Sequence, residues 1–452
     1  MTFSALDSGL TWPLLATAAM RACFSDEARL RAMLAAEAAL ARAEAEHGLV
    51  PDALALAIEA IDPASLDAAA IGQATALSGV LTIPFVAMVG ARLPPGMPGF
   101  HKGATTQDIL DTALMLQVRD ALGLLAAGLD AVLAGLVRMA EAHRDTPCVG
   151  RTYGQHAAPI TFGFKVAVWL EGIAEAAARL PEVRGRVLVA SLGGPVGTLA
   201  GLGALGPTVA DGFARILGLG ATPIAWHARR GRVAELGGWL AQLVGALAKM
   251  ATDVAHLAST EVAEVSEPYV PGRGGSTAMP HKRNPVSCTV ILAAHAAAPG
   301  HAAALLSGMA AAHERPAGLW HAEWHALPTL FGLASGALHE ARVLAEGLEV
   351  HPARMAHMLG ATNGLLFADA AAARLTPALG REAAHALVEH AAGVVRRDGV
   401  ALRTVLERET PGVDLAPAFD LVPAVAAAGP WVDRAVTEAR RVRALLSRPV
   451  DT

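Results

Sequence analysis

Residues 107–136 read QDILDTALMLQVRDALGLLAAGLDAVLAGL, and this stretch decides the fold class. Apolar residues return every three or four positions, the spacing that places side chains on one face of an α-helix. The repeat consists of Leu110, Leu114, Val118, Leu122, Leu125, Leu129, Val132 and Leu136. Proline is absent until Pro147. The stretch predicts one unusually long helix that packs as a member of a bundle.

The same period returns in three further stretches. They begin after Pro159, at Leu236 and after Pro285, and the Leu236 stretch ends near Glu264. Alternating, β-branched runs are scarce, and only the glycine-rich segment 187–205 is expected to hold a short hairpin or an irregular crossing. The predicted class is all-α, with long helices as a central bundle.

Domain organisation follows from length and from the helix-breaking residues. At 452 residues the chain exceeds one ordinary core. Proline and glycine near 93–103 and the pair His351-Pro352 divide it into an N-terminal helical domain (1–104), a central long-helix domain (105–350) and a C-terminal helical domain (351–452). Fully apolar helix faces need partners, so we expect an oligomer built by bundling the central helices.

Net charge and cysteine content limit which partners and which cellular compartment are expected. The net charge is −5, without a long basic run, so nucleic acid is not an expected partner. The three cysteines are odd in number and far apart, which favours a reducing, cytoplasmic compartment. The first basic residue is Arg21, so no secretory signal is predicted. Residues 286–312 carry no Asp, Glu, Lys or Arg, yet Pro299, Gly300 and many alanines favour a buried helix over a membrane span.

The most informative chemical segment is Gly272-Arg-Gly-Gly-Ser276-Thr-Ala-Met279-Pro-His-Lys282-Arg-Asn284-Pro285. A glycine-rich loop presents a hydroxyl, and a lysine follows six residues later. Asn284 and Pro285 are expected to be the N-cap and first residue of a helix, whose positive end suits an anion. A mobile hydroxyl beside such a site serves proton transfer next to a carboxylate. The glycines and prolines alone fit an ordinary loop before a capped helix equally well.

This string resembles the GSSxMPxKxNP signature of the fumarase/aspartase superfamily, with Thr277 in place of the second serine. The resemblance implies that Ser276 transfers the proton. Lys282 and Asn284 would hold the carboxylate whose aci form develops, and Met279 would contact substrate.

The second segment is His101-Lys-Gly-Ala-Thr105-Thr106-Gln-Asp108. Thr105 with Asp108 three residues later predicts a capping box at the start of the long helix, and by itself favours a capped helix with an incidental histidine. The segment also resembles the superfamily's H-x-G-x-T-S-x-D motif. The resemblance implies that His101, Thr105 and Thr106 bind a substrate carboxylate.

The third segment runs from Arg151 to Gly163 and reads RTYGQHAAPITFG. It is similar to the T-x-x-Q-H-A-x-P-x-T-x-G segment of adenylosuccinate lyases and 3-carboxymuconate cycloisomerases. The lyases usually have histidine at the position of Tyr153, and the cycloisomerases have an aromatic residue. The resemblance implies a catalytic role for His156 and substrate contacts from Arg151, Tyr153 and Gln155.

The fourth segment, HERPAGLWHAEWHALP at 313–328, contributes Arg315 as a supporting cation. Adenylosuccinate lyases have a phosphate-binding arginine where this chain has Trp324, and an indole cannot neutralise a phosphate. The run GLWHAEW is similar to bacterial 3-carboxy-cis,cis-muconate cycloisomerases. His321 and His325 lie four residues apart but lack the HExxH pattern, so we expect no metal. The family resemblance implies that no cofactor is used.

The family resemblance implies a cycloisomerase that closes 3-carboxy-cis,cis-muconate, a tricarboxylate, to 4-carboxymuconolactone in the protocatechuate branch of aromatic catabolism. It also implies a homotetramer with active sites shared between subunits. The chain departs from the family at Val80, where relatives often have asparagine. Two alternatives stay open: an eliminating lyase such as adenylosuccinate lyase, and a catalytically silent, tricarboxylate-binding helical scaffold.

Overall fold

The computed structural model describes residues 3–447, and the chain is helical almost throughout this range. The helices are α1 (Trp12–Leu15), α2 (Ala18–Cys23), α3 (Asp26–Ala45), α4 (Asp52–Glu59), α5 (Ala68–Ser78), α6 (Thr82–Gly90), α7 (Thr106–Ala142), α8 (Phe162–Ala178), α9 (Leu180–Val187), α10 (Gly206–Leu217), α11 (Gly231–Leu257), α12 (Val286–Ser307), α13 (Leu319–Gly347), α14 (Pro352–Gly360), α15 (Ala368–Leu379), α16 (Arg381–Asp398), α17 (Leu402–Glu409) and α18 (Val422–Leu446). The strands are β1 (Pro147–Thr152), β2 (Gln155–Thr161), β3 (Val265–Ser266) and β4 (Glu349–Val350). Short 3₁₀ turns lie at Pro63–Ser65, Ala200–Leu205, Leu365–Phe367 and Ala416–Phe419.

Helix α7 is the long helix that the sequence predicts. It has 37 residues, which at the usual rise corresponds to a length of about 54 Å. Thr105 is its N-cap, and the Thr105 N–H donates to Oδ2 of Asp108 over 2.9 Å. The predicted all-α class and the predicted start of this helix are confirmed.

Buried ion pairs fix the directions of the long helices. Arg230, at the start of α11, donates to Asp111 near the start of α7 (2.7 Å). The same guanidinium donates to Glu323 near the start of α13 (2.9 Å). Beyond the far end of α7, Arg151 pairs with Glu264 (2.7 Å), which follows α11. Helices α7, α11 and α13 therefore run parallel.

Helix α13 is not among the predicted helices; it contains Pro328, and proline normally ends a helix. Helix α12 runs antiparallel to α13, since the Ser287 hydroxyl near its start donates to Glu340 (2.6 Å) near the end of α13. The predicted helices after Pro159 and Pro285 are confirmed as α8 and α12.

A β-hairpin lies outside segment 187–205, for which a hairpin or an irregular crossing is predicted. Strands β1 and β2 pair as an antiparallel hairpin between α7 and α8. Its two-residue turn consists of Tyr153 (φ 53°) and Gly154 (φ 75°), and positive φ at both residues marks a type I′ turn. Segment 187–205 is an irregular crossing that ends in a 3₁₀ turn, which is the second of the two structures predicted for it.

The apolar core spans most of the chain. One cluster runs from Met20 to Met355 and includes the buried face of α18 from Val432 to Leu446. A separate cluster lies between Ala371 and Ala418. The last helix thus returns to the central bundle. The domain boundaries at 104 and 350 stay a prediction.

Two helices, α7 and α12, are long and apolar enough to cross a membrane by length and composition. In α7, 56% of the most apolar window is buried inside the protein. In α12 the share is 33%, so much of an uncharged helix faces outward.

Candidate active site

The first candidate segment, residues 101–108, gathers at the start of α7. Arg315 ties it to the loop before α13: its guanidinium donates to Thr105 Oγ1 (3.1 Å) and to Gln107 Oε1 (3.1 Å). The same guanidinium donates to the carbonyl oxygen of Pro195 (3.2 Å) in the irregular crossing. His101, Thr105, Thr106 and Arg315 therefore belong to one end of the bundle, as their predicted common role requires.

His101 is held in an unusual backbone conformation. Its φ is 57°, in the left-handed region that side chains other than glycine rarely adopt. Nδ1 of its ring lies 2.7 Å from Oε1 of Glu37 on α3. Burial alone would lower the pKa of His101, but the hydrogen bond to Glu37 and the negative charges of nearby carboxylates outweigh burial and raise it. The raised pKa favours the cationic form of the ring, which suits an anionic ligand.

Asp108 holds the surroundings of this segment together. Its Oδ1 lies 2.6 Å from Nε2 of His227 and accepts from the Gly193 N–H (2.8 Å). Its Oδ2 accepts from the Gly194 N–H (2.9 Å). The carboxylate is fully used by these contacts, so Asp108 shapes the site and does not itself bind substrate.

The second candidate segment is the hairpin. Arg151 and Glu264 form a bidentate pair (3.0 and 2.7 Å) whose side chains are nearly buried. The family resemblance implies that Arg151 contacts substrate. In the structure its guanidinium binds Glu264 and fixes the hairpin to the end of α11. Tyr153 and Gln155 at the hairpin tip are exposed.

His156 lies across the hairpin from Arg151. Burial, and then the positive charge of Arg151, lower the pKa of His156. Its Nδ1 is buried and has no hydrogen-bond partner among the residues that the structure describes. His156 is thus a neutral imidazole at neutral pH, suited to exchanging a proton or accepting a hydrogen bond.

The third candidate segment is the 272–285 loop. Ser276 Oγ accepts from the Met279 N–H (3.2 Å), which fixes the hydroxyl within the loop. The Asn284 N–H donates to the Gly274 carbonyl oxygen (2.9 Å) and closes the loop's base. Lys282 and Met279 are exposed, and within residues 3–447 the Lys282 ammonium makes no hydrogen bond or ion pair.

The helix start after this loop differs from the sequence prediction. Helix α12 begins at Val286 with Pro285 at the N-cap and no side-chain cap, so the predicted capping role of Asn284 is wrong. Glu267 accepts from the N–H groups of Ser287 (3.0 Å) and Cys288 (2.9 Å). An internal carboxylate therefore already satisfies the positive end of α12.

The three segments do not meet within one chain. The His101 segment precedes α7 and the hairpin follows it, so the length of α7, about 54 Å, separates them. The 272–285 loop lies at the hairpin end, because Glu264 binds Arg151 and β3 follows directly. A site that uses all three segments needs more than one copy of the chain.

Two acidic residues with defined roles escape the sequence analysis. Glu267 precedes the 272–285 loop, and the residues around it match no recognisable motif. Glu37 is the single acidic residue in the stretch 30–43, where most residues are apolar, and a carboxylate among apolar residues is a usable signal.

The fold and the serine-, lysine- and asparagine-bearing loop define an enzyme of the lyase type. A family model described as lyase matches residues 15–300, and the chain belongs to this family within the fumarase/aspartase superfamily.

Named relatives include the 3-carboxy-cis,cis-muconate cycloisomerase of Pseudomonas aeruginosa, 44% identical over 93% of this chain and 94% of the relative. The nitrosuccinate lyase of Streptomyces davaonensis is 43% identical over 95% of each chain. The crystal structure of the 3-carboxy-cis,cis-muconate lactonizing enzyme from Pseudomonas putida superposes with a TM-score of 0.92 and 42% identity, covering 96% of this chain and all of that one.

Proposed function

We propose that this protein is a cofactor-free cycloisomerase that closes 3-carboxy-cis,cis-muconate to 4-carboxymuconolactone. The observation that carries the proposal is the 44% identity with the Pseudomonas aeruginosa cycloisomerase across 93% of the chain. The exposed loop that carries Ser276 supports the same chemistry, since Lys282 beside it has no partner within residues 3–447.

The proposed reaction needs no external acid stronger than a hydroxyl. One substrate carboxylate attacks the conjugated alkene, and the negative charge moves into another carboxylate to give an aci-carboxylate. Ser276 then delivers its hydroxyl proton to carbon and takes up a proton from solvent, and Lys282 and Asn284 stabilise the charge of the aci-carboxylate. In the reverse elimination, Ser276 removes the same proton.

The proposed site is shared between the subunits of a homotetramer. Cationic His101 and Arg315 from one copy would meet neutral His156 and Ser276 from other copies. The two cations would bind substrate carboxylates, and Ser276 would carry the proton. The separation along α7 supports this arrangement. So does Tyr153, whose fully exposed ring at the hairpin tip suits contact with another copy.

Trp324 argues against the adenylosuccinate lyase alternative. Its ring packs against Trp320 (ring centroids 5.1 Å apart) and His321 (4.5 Å). An aromatic cluster at this position offers a nucleotide phosphate no positive charge.

Spectrophotometric assays test the proposal. The purified protein is incubated with 3-carboxy-cis,cis-muconate, and we expect the ultraviolet absorbance of the conjugated diene to disappear. Parallel assays with adenylosuccinate and nitrosuccinate serve as specificity controls, because a nitrosuccinate lyase is 43% identical to this chain. Turnover of either control at a higher kcat/KM than the muconate would overturn the substrate assignment. Tight binding of the tricarboxylate without turnover would favour a silent scaffold.

A further inference from the structure

The contact between His101 and Glu37 gives one face of the site a defined charge. The loop that carries His101 bends through left-handed conformations at Gly99 (φ 92°), His101 (57°) and Gly103 (69°). This bend brings the His101 ring against α3, where Nδ1 lies 2.7 Å from Glu37 Oε1. The side chain of His101 is 19% exposed and that of Glu37 is 0% exposed. The ring thus has one edge in the protein interior and one edge turned outward.

Glu37 is a buried carboxylate with few partners. Its Oε2 is buried without a hydrogen-bond partner among residues 3–447. Lys102, the neighbour of His101, donates to the Leu49 carbonyl oxygen (3.0 Å). Because an uncompensated buried charge is costly, the carboxylate and the imidazolium stabilise each other's charged forms.

The other charged groups that face His101 leave Glu37 as its main partner. They are Asp108 on α7 and Glu44, two turns further along α3. Asp108 is already engaged by His227 and three backbone N–H groups. Burial raises the pKa of Glu44 to about 8, which leaves Glu44 mostly uncharged at neutral pH.

We propose that Glu37 is a positioning residue. It orients the His101 ring with Nδ1–H toward itself, and the opposite Nε2–H then donates to a carboxylate of the bound substrate. Glu37 also favours the cationic form of the ring, so that His101 acts as a carboxylate-binding group held in one orientation. The substrate part of this inference rests on the proposed function. The pairing itself does not.

Reaction with diethyl pyrocarbonate tests the pairing without substrate, because only an unprotonated imidazole reacts. Trypsin releases His101 in the peptide 93–102, where it is the only histidine, so mass spectrometry follows this one ring against pH. We expect Glu37→Gln to lower the pH midpoint of the reaction by about 1–3 units, the usual effect of losing an adjacent opposite charge. Glu44→Gln, the same change on the same helix, should leave the midpoint within a few tenths of a unit. An unchanged midpoint in Glu37→Gln would overturn the proposal.

Kinetics then test the substrate part. In Glu37→Gln, KM for the muconate should rise about tenfold at pH 7–8 and recover near pH 5.5, with kcat changed much less. Glu37→Asp keeps the negative charge, so the pH midpoint of the His101 reaction should return close to that of the unaltered protein. This variant also tests the proposal if Glu37→Gln fails to fold. A shifted midpoint with a normal KM would reject the carboxylate contact. If the unaltered protein turns over no muconate, the proposed function fails. The diethyl pyrocarbonate experiment still tests the pairing of His101 with Glu37, because it needs no substrate.

Discussion

Ser276 shows how much of the chemistry depends on one side chain. Its hydroxyl accepts a backbone N–H within its own loop, and no general base contacts it within the described part of the chain. A serine hydroxyl in this position depends on the surrounding positive charge to lose a proton. In the proposed shared site, groups from other copies of the chain complete its activation.

Replacement of Ser276 tests this assignment. We expect Ser276→Ala to lower kcat by about 10²–10⁴-fold, the usual cost of losing a proton-transfer group, with KM changed little. Thr277→Ala, which removes the neighbouring exposed hydroxyl, is the matched control and should keep near-normal kcat. Both are measured by steady-state kinetics on proteins of unchanged circular dichroism. Equal kcat in Ser276→Ala and the unaltered enzyme would remove the serine from the mechanism.

At the scale of the element, the 272–285 loop depends on one glycine for its shape. Gly274 has φ 67°, and a Cβ built there would lie 2.5 Å from the Asn284 carbonyl oxygen. The left-handed conformation alone costs a residue with a side chain about 1–2 kcal/mol, and the clash adds to it. Only glycine keeps Ser276 and Asn284 on the same closed loop.

Gly274→Ala should therefore displace the loop while the helices stay folded. We expect kcat/KM to fall at least about tenfold, which corresponds to about 1.4 kcal/mol, and Tm to change by no more than about 2 °C. Gly275→Ala is the matched control, because Gly275 has no positive φ and no atom within 4 Å of its built Cβ. Similar kcat/KM values in the two variants would show that the conformation of Gly274 does not matter for the site.

At the scale of the whole molecule, the length of α7 makes a single-chain site impossible. His101 and Ser276 belong to opposite ends of the bundle, so one chain cannot supply both to one substrate. Uncharged α12, largely turned outward, offers an apolar face that suits the bundling of several copies.

Hybrid oligomers test this arrangement. His101→Ala and Ser276→Ala should each be nearly inactive alone. After the two variants are mixed 1:1, unfolded and refolded together, about a quarter of the sites should combine an unaltered His101 with an unaltered Ser276 from another chain. Recovery of about a quarter of normal activity is expected. Absence of recovery, with mixed oligomers demonstrated by mass spectrometry, would mean that the sites are not shared.

The sequence by itself determined the helical class, the course of α7 and the identity of the candidate site residues. The apolar repeat, the capping pair and the spacing of residues within a motif are local properties of the sequence. A local pattern of about 30 residues already specifies a helix and its apolar face. The Thr105–Asp108 cap is an example, since both partners lie within one turn.

Only the tertiary structure decided which groups are free to act. Arg151 is used by Glu264, 113 residues away, and the start of α12 is capped by Glu267 and not by Asn284. Helix α13 forms despite Pro328, because its other residues pack against α11 and α12. The contact of His101 with Glu37 spans 64 residues. Such contacts depend on how helices cross in space, and no period or spacing along the chain encodes them.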